Sequence, residues 1–148
     1  MTSTITKKTT PVLIDARGPR WSALMTTFVL ALALVTSNIW VIAFQAVVFA
    51  IGALRGPQFT PYALIFKKVI KPRLSSPVTF EDVRPPRFAQ SVGLIFALVA
   101  LVGALIGATV LASVALSFAL AAAFLNAAFN FCLGCEMYLL ILRARSAR

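Results

Sequence analysis

Near the C-terminus, Cys132-Leu-Gly-Cys135-Glu136 sets two thiols three residues apart with a carboxylate beside them. If a helix runs through the motif, the i, i+3 spacing puts both sulfurs on one face; if Gly134 ends it, they share a turn. Either geometry permits a reversible disulfide or a two-ligand share of a metal site. Reaction at sulfur requires thiolate, which nearby cations such as the Arg residues of the central segment favour and Glu136 opposes. With no His and two Cys, one chain cannot close a zinc site of four cysteines or of two cysteines and two histidines, although a dimer could bring four thiolates together. Cys132 and Cys135 are therefore the candidate catalytic residues, as redox or sulfur-relay thiols, and no cofactor is predicted.

What positions them is a membrane. The chain of 148 residues is 60% hydrophobic and 12% charged, with a mean hydropathy of +0.93, which no soluble domain of this size can bury. Residues 21–54 and 88–135 hold no Asp, Glu, Lys or Arg. A crossing takes roughly 20 apolar residues, so each stretch reads as two helices joined by a tight turn, at Thr36-Ser37-Asn38 and near Gly107-Ala108-Thr109. The expectation is an all-α membrane protein with four transmembrane helices as two tandem helical hairpins. Its organisation is a basic tail (1–20), a first hairpin (21–54), a proline-rich basic connector (55–87), a second hairpin (88–135) and a basic tail (136–148). Two helices of about 17 residues reach only about 25 Å, so a re-entrant first hairpin is the alternative to full crossing.

All fourteen Lys and Arg residues fall before, between or after the two hairpins. The positive-inside rule then puts both termini and the connector in the cytoplasm, with the protein multi-pass and almost nothing outside the membrane. Lys7 and Lys8 precede an apolar helix as in a signal peptide, but no small-residue cleavage site follows, and residues 1–11 read as a loose tail. The net charge of +10 faces anionic headgroups, with Lys67, Lys68, Lys71 and Arg73 as the lipid-facing basic residues. No basic groove interleaved with aromatics supports nucleic-acid binding. Six prolines break the connector, and Tyr62 to Ile70 suits a short helix at the headgroups.

The chain also reads as a duplicated two-helix unit. Pro19-Arg20-Trp21-Ser22 matches Pro86-Arg87-Phe88-Ala89 at an offset of 67, and residues 56–64 lie on 132–140 at an offset of 76. Units of the same orientation pack about an axis along the membrane normal. Gly103 and Gly107 form a GxxxG that serves packing within the chain or a homodimer, and Ala115, Ala119, Ala123 and Ala127 ridge the last helix. Gln45, Asn126 and Asn130 are the intramembrane polar groups, read as interhelical hydrogen bonds. No charged side chain lies within the helices, so a proton relay or ion-coupled transporter lacks its parts.

RGPRW (17–21), GPQFTPY (56–62), KPRL (71–74), EDVRPPRFAQ (81–90) and CLGCEMY (132–138) together resemble a bacterial, mainly actinobacterial, integral-membrane family, the domain of unknown function 4395. The resemblance implies a four-helix inner-membrane protein associated with thioredoxin-like or rhodanese-like partners, without an established reaction. Two functions follow. One is a thiol-disulfide or persulfide relay through Cys132 and Cys135, with a thioredoxin-like or rhodanese-like protein or a membrane quinone as the other half. The other is a non-catalytic accessory subunit of a larger membrane complex, docked through its Gly and Ala ridges.

Overall fold

The computed structural model describes residues 12–75 and 77–147; the expected loose stretch 1–11, with Lys7 and Lys8, lies outside them, as does Arg148. The first two helices are joined by a tight turn. α1 (Arg17–Thr36) starts four residues before the charge-free stretch, and its first N–H, at Arg17, donates to Asp15 Oδ1 at 3.0 Å. It stops at Ser37, in the left-handed region (φ 52°), whose N–H returns to the Ala33 carbonyl at 2.8 Å. Asn38 then caps α2 (Ile39–Leu54), its Oδ1 accepting the Trp40 N–H at 2.9 Å.

The connector begins with a single 3-10 turn, followed by α3 (Pro61–Ile65), a π-helical turn (Phe66–Ile70) and another 3-10 turn (Lys71–Arg73). Its apolar side is clamped to the bundle. Tyr62 and Phe66 are buried, and the Tyr62 hydroxyl donates to Gln45 Oε1, itself fully buried in α2, at 2.8 Å. That desolvation pushes the Tyr62 phenol up to about 12.

α4 (Arg84–Leu105) and α5 (Thr109–Phe129) are joined at Gly107, whose φ of +79° no ordinary side chain adopts without strain. Gly103 is buried against the same turn: a Cβ there would come within 3.1 Å of the Ala112 nitrogen. The two glycines thus shape the α4–α5 turn and do not form one helix face. α6 (Leu133–Ser146) follows.

α1, α4 and α5, of 20, 22 and 21 residues, are long and apolar enough to cross a membrane, at about 30 to 33 Å. α2, with 16 residues, reaches about 24 Å and is shorter. The four pack as a ring in which α1 and α4 each touch both α2 and α5, and α6 lies on α4. Alanines let them approach closely: Ala33, Ala46, Ala97, Ala100, Ala115 and Ala119 are all buried at the centre, around Leu30 and Ile42.

Two short strands depart from the all-α expectation. β1 (Leu13–Asp15) and β2 (Phe80–Asp82) pair antiparallel, with Ile14 opposite Glu81. Residues 12–16 are therefore strand-paired to the far end of the connector, where a basic tail was expected. The pairing follows an offset already present in the sequence. Ile14 and Glu81 stand 67 residues apart, the same offset that relates Pro19-Arg20 to Pro86-Arg87. The flanking bonds, Ala16 N–H to Thr79 O (2.8 Å) and Val83 N–H to Val12 O (3.0 Å), exchange under that offset.

Asp15 and Arg17 have their counterparts in Asp82 and Arg84, and each Asp accepts the first helical N–H and pairs with the Arg side chain. A pseudo-twofold axis thus passes through the Ile14–Glu81 pair. Farther out, Arg20 of α1 donates to the Ala127 carbonyl at the end of α5 (3.3 Å). Arg87 of α4 donates to the Ala53 and Leu54 carbonyls at the end of α2 (2.7 and 2.6 Å). Each repeat's leading Arg satisfies the last carbonyls of the other repeat's second helix.

Candidate functional site

The cysteines sit where one helix ends and another begins. Asn130, in the left-handed region (φ 53°), closes α5, and its asparagine side chain tolerates that conformation better than most. Two residues later Cys132 is extended and caps α6: its Sγ accepts the Cys135 N–H at 3.2 Å, and its carbonyl accepts the Glu136 N–H at 3.0 Å. The motif therefore neither runs through a helix nor ends one, as the sequence alternatives had it; it starts one. Cys132 and Cys135 are joined in a disulfide, with Cα atoms 5.1 Å apart, and both are half-buried.

Gly134 is required for this placement. A Cβ at Gly134 would lie 2.6 Å from the Ala89 Cβ and 2.7 Å from its Cα, so the first turn of α6 rests directly on α4. One turn on, the Tyr138 ring packs on Phe88 with centroids 5.6 Å apart, which fixes the orientation of α6. Glu136, in the first turn, is exposed and complements the positive end of the helix dipole.

The disulfide opens on a cavity of about 670 Å³ between α1, α4, α5 and the start of α6. Its mouth carries Arg17, Arg20, Glu81, Asn126, Asn130 and Glu136, and its floor carries Phe49, Phe96, Phe118, Ala119 and Ala122. Glu81 hangs over it from β2, and burial pushes that carboxyl above the ordinary Glu range. The side chains of Asn126, in the last turn of α5, and Asn130, its cap, make no hydrogen bond among the described residues. The expected interhelical bonds are absent there, and both residues line the cavity. Gln90 lines it too, although its Oε1 is buried without a donor beside Gly52 of α2.

The cations also differ from expectation. Arg17 and Arg20 of α1 line the cavity, whereas Arg84 pairs with Asp82 and Arg87 caps α2. Lys67, Lys68 and Arg73 are exposed on the connector. Lys71 lies 3.7 Å from Asp15, and with Lys67 it lines a second cavity of about 270 Å³. None of these four lines the disulfide cavity.

Glu81 was the residue hidden in the sequence. It sits in a three-residue strand too short to show a period, and its position depends on pairing across 67 residues. The Asn126–Asn130 spacing was the readable signal.

A family model described as Domain of unknown function (DUF4395) matches residues 14–143, which takes in both strands except Leu13, all six helices except the end of α6, and the disulfide. No curated protein and no solved structure matches the chain.

Proposed function

This chain belongs to the DUF4395 family, and from that premise we propose that it is a membrane thiol-disulfide relay in which Cys132 and Cys135 cycle between dithiol and disulfide. The single observation that carries this reading is the disulfide at the start of α6, opening on a ligand-sized cavity.

In this reading α1, α2, α4 and α5 all cross an inner membrane as two tandem hairpins, α2 with local thinning of the bilayer. Both termini and the connector face the cytoplasm, and Lys67, Lys68 and Arg73 meet anionic headgroups. Cellular reductants keep cytoplasmic thiols reduced, so a disulfide on that side belongs to a catalytic cycle and not to a structural staple.

The chemistry follows from the cap. Cys132 Sγ receives the Cys135 N–H at the positive end of the α6 dipole, an environment that holds a thiolate. Cys132 is accordingly the nucleophile and Cys135 the resolving thiol. The Cys132 thiolate attacks one sulfur of a partner disulfide, displacing the other as thiolate and forming a mixed disulfide. The Cys135 thiolate then attacks Cys132, closing the internal disulfide and releasing the partner as a dithiol. The reverse sequence oxidises a partner dithiol. A cytoplasmic protein of the thioredoxin-like kind suits the half-buried motif, since a short thiol-bearing loop can approach the sulfurs.

Trapping tests this directly. The Cys135→Ser variant, which cannot resolve the intermediate, is expected to accumulate a mixed disulfide with a soluble thioredoxin whose one active cysteine is activated as its disulfide with thionitrobenzoate, which leaves as the thiolate. Cys132→Ser is expected to accumulate little or none. Equal trapping by both variants would contradict the assigned roles, and trapping by neither would contradict the relay.

A further inference from the structure

We infer that the cavity beneath the disulfide binds a lipid-soluble quinone, head group at the mouth and tail along the floor, as the two-electron partner of Cys132 and Cys135. This inference rests on the relay reading and names the substrate that the relay would use on its membrane side.

Three features of the cavity select that ligand. The first is its depth. From Asn130 to Phe118 along α5 the lining descends about 18 Å, so the cavity reaches from the disulfide well into the bundle. Its polarity is graded over that depth, with amides and charges at the mouth and aromatic rings and alanines below. Such a lining fits an amphiphile with a compact polar head and an apolar chain.

The second feature is charge. Arg17 is already paired with Asp15 and Arg20 donates to the Ala127 carbonyl, so both cations are engaged, while Glu81 and Glu136 also line the mouth. Two carboxyl groups there repel a phosphate head and favour an uncharged one. The third is the set of amides. The Asn126 and Asn130 side chains have no protein hydrogen bond among the described residues. The side-chain amide of Asn126, half-buried at the edge of an apolar region, matches a carbonyl oxygen of a quinone, with Asn130 nearer the opening.

The disulfide supplies the reason for such a head to sit there. In the forward step the two S–H bonds break and the S–S bond forms. The two electrons and two protons released pass to the two carbonyl oxygens of the quinone, which becomes a hydroquinone. Glu81, which lines the cavity from β2, is the carboxyl group assigned to carry a proton between sulfur and oxygen. With a thioredoxin-like dithiol reducing the disulfide from the aqueous side, the net reaction is dithiol plus quinone to disulfide plus hydroquinone.

The test uses the full-length protein in lipid nanodiscs, reduced and freed of reductant, with a ubiquinone analogue bearing a ten-carbon chain. Its fully substituted ring cannot alkylate thiols. The expected result is one hydroquinone formed per disulfide regained. Asn126→Leu, close in size and apolar, is expected to slow the reaction about tenfold, the scale of a lost hydrogen bond with its partner left unpaired. Ala122→Phe, which fills the cavity, should slow it at least as much.

Disulfide exchange with soluble thioredoxin is measured on the same samples. If exchange proceeds but no hydroquinone forms, or if both variants reduce quinone at the wild-type rate, the quinone site is overturned and the relay stands. If the cysteines fail to exchange with thioredoxin while the Cys132→Ser/Cys135→Ser protein still binds the analogue, the relay is overturned instead. Retention of only a co-purified phospholipid, undisplaced by the analogue, would also overturn the quinone site.

Discussion

The sulfur of Cys132 accepts the backbone N–H of Cys135 at 3.2 Å, so the first cysteine of the pair caps the helix that carries the second. In the reduced protein this asymmetry separates the two thiols. Cys132 is expected to be alkylated by iodoacetamide about tenfold faster than Cys135 at neutral pH, resolved by peptide mass spectrometry. Equal rates would show that the cap does not hold the thiolate.

Gly134 permits α6 to lie on α4. Gly134→Ala would place a Cβ against the backbone of Ala89, where no flexible side chain can yield. The expected cost is about 1 to 3 kcal/mol, with α6 lifted from α4 and Cys135 drawn out of register with Cys132. Thermal unfolding and the rate of disulfide formation check this together; unchanged values for both would mean that the two helices are not in contact.

Arg20 and Arg87 do equivalent work with unequal geometry. Arg87 donates to two carbonyls at 2.7 and 2.6 Å, and Arg20 to one at 3.3 Å. Arg87→Met is therefore expected to destabilise the bundle by about 1 kcal/mol and Arg20→Met by less, both arginines being at exposed positions where solvent weakens the charge contribution. Unfolding by denaturing detergent measures the order. A larger loss for Arg20→Met would contradict the capping roles.

The same arginines show how far the sequence could be read. The matching lead-ins Pro19-Arg20 and Pro86-Arg87 were visible as a repeat, and the polar breaks at Ser37-Asn38 and Gly107 were visible as turns, because local chemistry fixes both. The paired-thiol motif and the mostly helical membrane-type architecture were legible for the same reason. The strand pair was not, since three residues carry no period and Ile14 meets Glu81 only through the tertiary fold. The cavity was hidden likewise. Asn126 and Asn130 were seen on one helical face, but which neighbour that face would meet depends on the packing of α1, α4 and α6. The helix limits shifted by a few residues for a plain cause: Asp15 and Asp82 start α1 and α4 inside the charged flanks.

Neighbouring carboxylates on the strand pair predict opposite pH effects. Hydrogen bonding from Arg17 holds Asp15 below the ordinary Asp range, and hydrogen bonding from Arg84 does the same for Asp82. Their stabilising contribution is complete above the unfolded value near 3.8 and is lost as pH falls through the lower folded values. Burial raises Glu81 instead, so its ionised form is destabilising near neutrality, and stability rises as pH falls through its folded value toward 4.5.

Asp82→Ala should therefore lower stability at pH 7 by about 1 kcal/mol, the scale of a lost helix cap. Glu81→Gln should raise it at pH 7 and make little difference at pH 4. Melting temperatures across that range decide the matter, and a loss of stability in Glu81→Gln at pH 7 would show that the carboxylate has an ionic partner.

The redox state of Cys132 and Cys135 in native membranes tests the central claim most directly. Membranes are quenched in acid and their free thiols labelled with a mass-tagging maleimide, before and after a reduced thioredoxin is added to the cytoplasmic face. The account predicts no tags before, two tags after, and loss of both when an oxidant follows. A pair that keeps one state through all three conditions, in a protein that remains folded, would contradict it.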